Sequence, residues 1–123
     1  DTKATNPHAA GAVLEALEGS VVLIAGGSEK GSDFSALGQL IAARTKAVVL
    51  NGETRDRLAA AIPAGHRVVV VEGMEEAVRV AADIAGAGDM VVLAPACASF
   101  DQYNDFEHRG REFKRLVRAL GDV

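Results

Sequence analysis

The sequence predicts an α/β fold: a doubly wound, mainly parallel sheet with helices on both faces. Two observations carry this. Four short runs, from Val21 to Ala25, Ala47 to Leu50, Arg67 to Val71 and Asp89 to Ala94, are almost continuously apolar. Strands buried on both faces read this way. Segments with apolar residues at helical spacing separate the runs, and that alternation defines a parallel sheet with crossover helices. Right-handed crossovers then place helices on both sides of the sheet, a Rossmann-like layering.

The elements follow in order. Asn6 is placed to cap a helix with Pro7 at its first position. Val13, Leu14 and Leu17 form its apolar stripe, and Gly19 ends it. After the first strand comes a loop, Gly26-Gly27-Ser28-Glu29-Lys30-Gly31. Ser32 or Asp33 then caps a helix carrying Leu37, Leu40 and Ile41 on one face. Asn51-Gly52 closes the second strand, and Thr54 caps a short helix through Ile62. Pro63-Ala64-Gly65 turns the chain into the third strand. The next helix, Glu75 to Ala85, turns Ala77, Val78, Ala81 and Ile84 inward. An irregular loop follows the fourth strand. A last helix is expected from about Phe106 to Leu120, with Phe113, Leu116, Val117 and Leu120 as its stripe.

Composition limits the function classes. The chain of 123 residues has the length of one domain. Aromatics make up only 4%, so aliphatic side chains must build the core. A formal net charge of -4 argues against nucleic acid, whose phosphates need a basic face. The basic cluster from Arg109 to Arg118 is interrupted by Glu112 and reads as a solvated helix face. Cys97 is the lone cysteine, and no apolar run reaches spanning length, so a cytoplasmic, membrane-free protein is expected. The chain starts at Asp1 rather than Met, and we expect an excised piece of a longer protein.

Two loops occupy the C-terminal ends of strands, where open α/β sheets bind ligands. In the first, glycines permit close backbone approach and Lys30 adds a positive charge. It lacks the Gly-Lys-Ser/Thr ending of a Walker A loop. The residues alone leave open both an anion-facing loop and a plain turn with a solvated lysine. The second is Pro95-Ala96-Cys97-Ala98-Ser99-Phe100-Asp101. Ser99 can donate to a carboxylate, but it sits in no nucleophile elbow. Cys97, between alanines, reads as packed rather than reactive. His8, His66 and His108 have no metal-ligand spacing and read as structural or surface residues. Glu75-Glu76 reads as a favourable first-turn charge. Asp1, Lys3 and Thr5 form a polar cluster before the first helix, which by itself is a fraying terminus.

Taken in order, three blocks resemble the Mur ligase family. They are Asp1-Thr2-Lys3-Ala4-Thr5-Asn6; Gly26-Gly27 with Lys30, Asp33 and Phe34; and Leu93 through Tyr103 with Phe106, Arg109-Gly110 and Phe113. The Ser99-Phe100-Asp101-Gln102-Tyr103 spacing best matches the branch that adds D-glutamate to UDP-N-acetylmuramoyl-L-alanine. The resemblance implies a C-terminal, amino-acid-binding domain of an ATP-dependent ligase. There, ATP converts a carboxylate to an acyl phosphate and the D-glutamate amine attacks it. By family position Thr5 and Lys30 hold one carboxylate of D-glutamate. Ser99 and the Phe106 amide hold the other, with Phe100 close by. Asp1 faces the ATP ribose, and Lys3 lies near the reacting groups as the catalytic candidate.

The resemblance also implies that the UDP-binding and central ATP-binding domains are absent from residues 1–123. With them go the phosphate loop and the Mg²⁺ ligands. The domain alone is therefore expected to be inactive and monomeric, with no metal or cofactor bound. The competing readings are a related Mur ligase, a folylpolyglutamate synthase-like domain, or a non-enzymatic module binding small anions. A flavodoxin-like or receiver domain fits less well, for want of an acidic cluster or flavin phosphate loop.

Overall fold

Helices and strands alternate along the computed structural model, which describes residues 7–27 and 33–96. Helix α1 (Pro7–Ala16) leads into β1 (Val21–Gly26), and α2 (Ser35–Arg44) into β2 (Ala47–Asn51). Helix α3 (Arg55–Ala61) leads into β3 (Val68–Val70), and α4 (Met74–Ile84) into β4 (Met90–Ala96). The strands form one four-stranded sheet in the order β3-β2-β1-β4, and each neighbouring pair is parallel. The chain thus builds outward from β1 to β3, then crosses back to place β4 on the other side of β1. This is the doubly wound α/β sheet the sequence predicts.

Alternation along the strands sorts the core into two halves. Leu23, Ala25, Val48 and Leu50 face Leu14, Phe34, Leu37, Ile41, Leu58 and Ile62 from α1, α2, α3 and their flanks. Val22, Ile24, Val49 and Leu93 face Val71 and the α4 residues Met74, Ala77, Val78 and Ala81. Each layer removes apolar surface from water at roughly 25 cal/mol per Å². β1 is buried along its whole length, which is why Val21 to Ala25 carries no polar residue. The helices α2 and α3 approach closely at Gly38, where a Cβ would run into the Ala61 carbonyl.

Several boundaries differ from expectation. The third strand is Val68–Val70, though the flanking Arg67 carbonyl and Val71 N–H still bond Val48 and Leu50 of β2. It is an edge strand, paired with β2 alone among the described residues. Val70 is accordingly exposed. β4 extends to Ala96, so Pro95 and Ala96 belong to the strand rather than to the loop. Its register with β1 slips between Ile24 and Gly26. Pro95 has no N–H to give and falls inside that stretch. Phe34, not Ser32 or Asp33, occupies the cap position of α2, while the Asp33 carboxylate accepts the Ser35 N–H at 2.8 Å. The Ser35 side chain foremost, then that backbone bond, holds the Asp33 carboxyl below its ordinary range. The expected last helix and the opening hexapeptide lie outside the described residues, as do His108 and Cys97.

His66, read as structural, places Nε2 3.0 Å from the Thr45 hydroxyl. In the first turn of α4, the Glu76 carboxylate accepts the Glu72 N–H at 3.1 Å. It therefore acts as a helix-start acceptor rather than an acid/base group. Among the described residues, no helix is long and apolar enough to cross a membrane.

The N-terminal edge of the sheet is tied together by one carboxylate. Asp89 precedes β4, Ser20 precedes β1 and Lys46 precedes β2. Lys46 Nζ donates to Asp89 Oδ2 at 2.7 Å and the Gly86 N–H donates to the same oxygen at 2.8 Å. The Lys46 bond foremost, then the Gly86 amide and the Ser20 side chain, lower the Asp89 carboxyl from 3.8 to about 2. A carboxyl lowered in the folded state contributes stability above its unfolded pKa and loses it as pH falls through the folded value. Urea midpoints measured across the acid range should therefore drop as pH falls from 3.8 towards about 2, and Asp89→Asn should remove that part of the decline. An identical acid profile in the variant would refute the assignment.

Candidate functional site

The opposite, C-terminal edge of the sheet is built from backbone. Gly26 pairs with Asn51 of β2 on one side and with Ala96 of β4 on the other. The strand order reverses between β1 and β4, and open α/β sheets bind ligands in the crevice at such a switch point. The loops that follow Gly27 and Ala96 therefore leave adjacent strands at one level. Residues 17–20 join α1 to the start of β1. The first turn of α1 accordingly points to the same C-terminal edge.

Gly26 and Gly27 have φ of 125° and 135°, conformations that side chains rarely adopt. A Cβ on Gly26 would collide with the Asn51 carbonyl. The glycine pair is thus required by the turn and by the approach of β2, whatever the loop binds. The Gly27 carbonyl accepts two bonds from Thr54, one from its N–H and one from its hydroxyl, both at 2.9 Å. Thr54 is 1% exposed. It was expected to cap α3 with its side chain and does not. The hydroxyl turns away to Gly27 instead.

Where the chain returns at residue 33, Phe34 is buried among Leu37, Ile41 and Leu58. The Arg57 guanidinium lies over its ring, 4.9 Å from the centroid. Arg55 donates to the Gly52 carbonyl at 2.9 Å and pairs loosely with Glu72 at 3.8 Å. These contacts make the β2–α3 connection a firm support beneath the first loop. Sequence reasoning missed this role of Thr54 and Arg57. A threonine before a helix gives the same signal whether it caps or bonds elsewhere.

Every residue singled out for ligand chemistry lies outside the described residues: Asp1, Lys3, Thr5, Lys30, Ser99, Phe100 and Phe106. The structure places their neighbours, Pro7, Gly27, Asp33 and Ala96, and brings the stems of the two strand-end loops together. Among the described residues, no three His, Cys, Asp or Glu side chains converge to hold a metal ion. A groove of about 920 Å³ lies between α1 and α2, lined by small apolar residues such as Gly11, Ala12, Ala36 and Ala43. Glu15 and Gln39 are its polar lining residues.

A parallel sheet whose glycine turn and fourth strand meet at a switch point defines a Rossmann-like α/β domain. The family description "Mur ligase, glutamate ligase domain" matches residues 1–97. The chain belongs to that family. It is 48% identical over 120 residues to the UDP-N-acetylmuramoylalanine–D-glutamate ligase of Chlorobium luteolum, covering 98% of this chain and 26% of the relative. The enzymes of the same name from Methylococcus capsulatus and Nitrosococcus oceani are 48% and 46% identical, with 98% of this chain and 26% and 27% of the relatives covered. The chain thus spans about a quarter of the length of these curated relatives. A solved UDP-N-acetylmuramoyl-L-alanyl-D-glutamate–2,6-diaminopimelate ligase superposes with a TM-score of 0.65 at 19% identity, covering 98% of this chain and 29% of that one. This likeness bears on the fold alone.

The glycine turn makes a sharp prediction. Gly26→Ala should lower unfolding free energy by roughly 2–5 kcal/mol, from backbone strain plus collision with a fixed carbonyl. Gly19 also has positive φ, 91°, but nothing lies within 4 Å of its Cβ position. Gly19→Ala should therefore cost only the strain, about 1 kcal/mol. Denaturant melts of the two variants compare them directly; equal losses would rule out the collision.

Proposed function

We propose that this domain holds D-glutamate for an ATP-dependent ligase acting on UDP-N-acetylmuramoyl-L-alanine, in peptidoglycan synthesis. The observation that carries the reading is the switch point at Gly26, which pairs with both Asn51 and Ala96. The described stems on which the Lys30 and Ser99 segments follow, Gly27 and Ala96, stand at the ends of adjacent strands, which supports a shared site. The relatives that match nearly the whole chain are D-glutamate ligases by name, which supports the same substrate.

Glutamate has two carboxylates, and its amine must be aimed at an acyl carbon. In this reading Lys30 and Thr5 hold one carboxylate. Ser99 and the Phe106 amide hold the other, and Phe100 packs nearby. Lys3 sits beside the reacting groups and Asp1 beside the ATP ribose. Fixing the amine before attack converts a bimolecular step into one between held partners, which lowers its barrier. ATP transfers its terminal phosphoryl group to the substrate carboxylate and leaves as ADP. The amine then attacks the acyl carbon, and phosphate departs as the amide forms.

The phosphate-binding and Mg²⁺-binding groups belong to the other domains of such an enzyme. The described residues offer no set of ligands for the ion, so no step is assigned to it here. The 123-residue chain alone is inactive in this reading, a cytoplasmic monomeric module whose partners are its own enzyme's remaining domains.

An ATP-dependent assay of the full-length protein against a panel of amino acids tests the substrate. D-Glutamate should be used in strong preference to L-lysine or diaminopimelate. Lys30→Ala removes a charge-assisted bond and should weaken D-glutamate binding by about 1.5–3 kcal/mol. An unchanged KM for D-glutamate in that variant would sink the assignment of Lys30.

A further inference from the structure

The start of α3 contacts the described residues on both sides of the Lys30 segment. At the outgoing end, Thr54 saturates the Gly27 carbonyl with two donors from one residue. At the returning end, Arg57 covers the ring of Phe34, which is itself 4% exposed in the core. Thr54 and Arg57 stand three apart in sequence, a spacing that puts side chains on one face of a helical turn. Gly27 and Phe34, the described residues that flank this segment, are therefore both contacted by the start of α3.

We propose that Thr54 is a positioning residue for D-glutamate binding, acting through the Gly27 carbonyl, with Arg57 as its partner at Phe34. This rests on the glutamate-holding reading of Lys30. Thr54 touches no substrate. Its hydroxyl is the group that a helix start would otherwise use for its own cap. Here α3 forms without a side-chain cap, and the hydroxyl is committed to the carbonyl of Gly27, just past the end of β1. Fixing the stem of a binding loop lowers the ordering cost that the ligand must otherwise meet.

The test is steady-state kinetics of the full-length ligase, with D-glutamate and ATP varied separately. Thr54→Val keeps the shape and the N–H but loses the hydroxyl bond. It should raise the KM for D-glutamate roughly two- to tenfold, the range of one hydrogen bond. The KM for ATP should not move. Thr54→Ser restores the donor and should return the D-glutamate KM to within about twofold of wild type. Arg57→Gln, on the exposed side of α3, should raise the same constant roughly two- to fivefold. If Thr54→Val does not fold, Arg57→Gln decides alone.

Unchanged D-glutamate KM in both variants, with a clear rise in Lys30→Ala, would overturn the positioning role and leave the Lys30 reading standing. No rise in Lys30→Ala would remove that reading and this proposal with it. Equal rises in both KM values without rescue by serine would mark a general loss of structure and overturn the proposal.

Discussion

β1 is hydrogen-bonded along both edges and buried on both faces. That constraint organises the rest. A strand with no solvated side must be apolar throughout, so alternation cannot mark its faces. Its neighbours supply the sorting instead. α1, α2 and α3 cover Leu23 and Ala25, while α4 covers Val22 and Ile24. The final residue of the strand, Gly26, then needs no side chain and tolerates none. Both edges converge there, and the backbone of Asn51 takes the space of a Cβ.

The two edges of the sheet divide the labour. At the N-terminal edge, side chains do the tying: Lys46 and Ser20 converge on Asp89. At the C-terminal edge, backbone groups meet, with Thr54 as the main side-chain participant. Side-chain ties make a firm base without demanding unusual dihedrals. Backbone turns with positive φ leave room for a ligand to approach main-chain amides.

The layering was legible in the sequence because continuous apolar runs such as Val21–Ala25 and Ala47–Leu50 permit few other arrangements. Helix stripes were legible for the same reason: Ala77, Val78 and Ala81 recur at helical spacing and are buried as expected. Boundaries were less so. Arg67 and Val71 lie just outside β3 although their carbonyl and N–H bond β2, so the strand's limits turn on pairing geometry that local composition does not encode. Thr54 illustrates the deeper limit. Its cap-like position is local, but its actual acceptor, Gly27, is brought near only when β1 and β2 pair. The candidate ligand residues were reached through motif resemblance, and they lie beyond the described residues. Their support comes from the stems that flank them.

The pairing of Ile24 with Leu93 has a consequence for synthesis. A chain made from its N-terminus completes β1, β2 and their connecting helices long before β4 exists. Throughout that interval one edge of the most apolar strand carries unpaired amides and carbonyls, the kind of edge that recruits foreign strands. The last of the described strands to emerge is thus the one that seals the first. A nascent chain stalled before Met90 would expose its central strand to whatever is nearby, so the hazard to this sheet persists until β4 emerges.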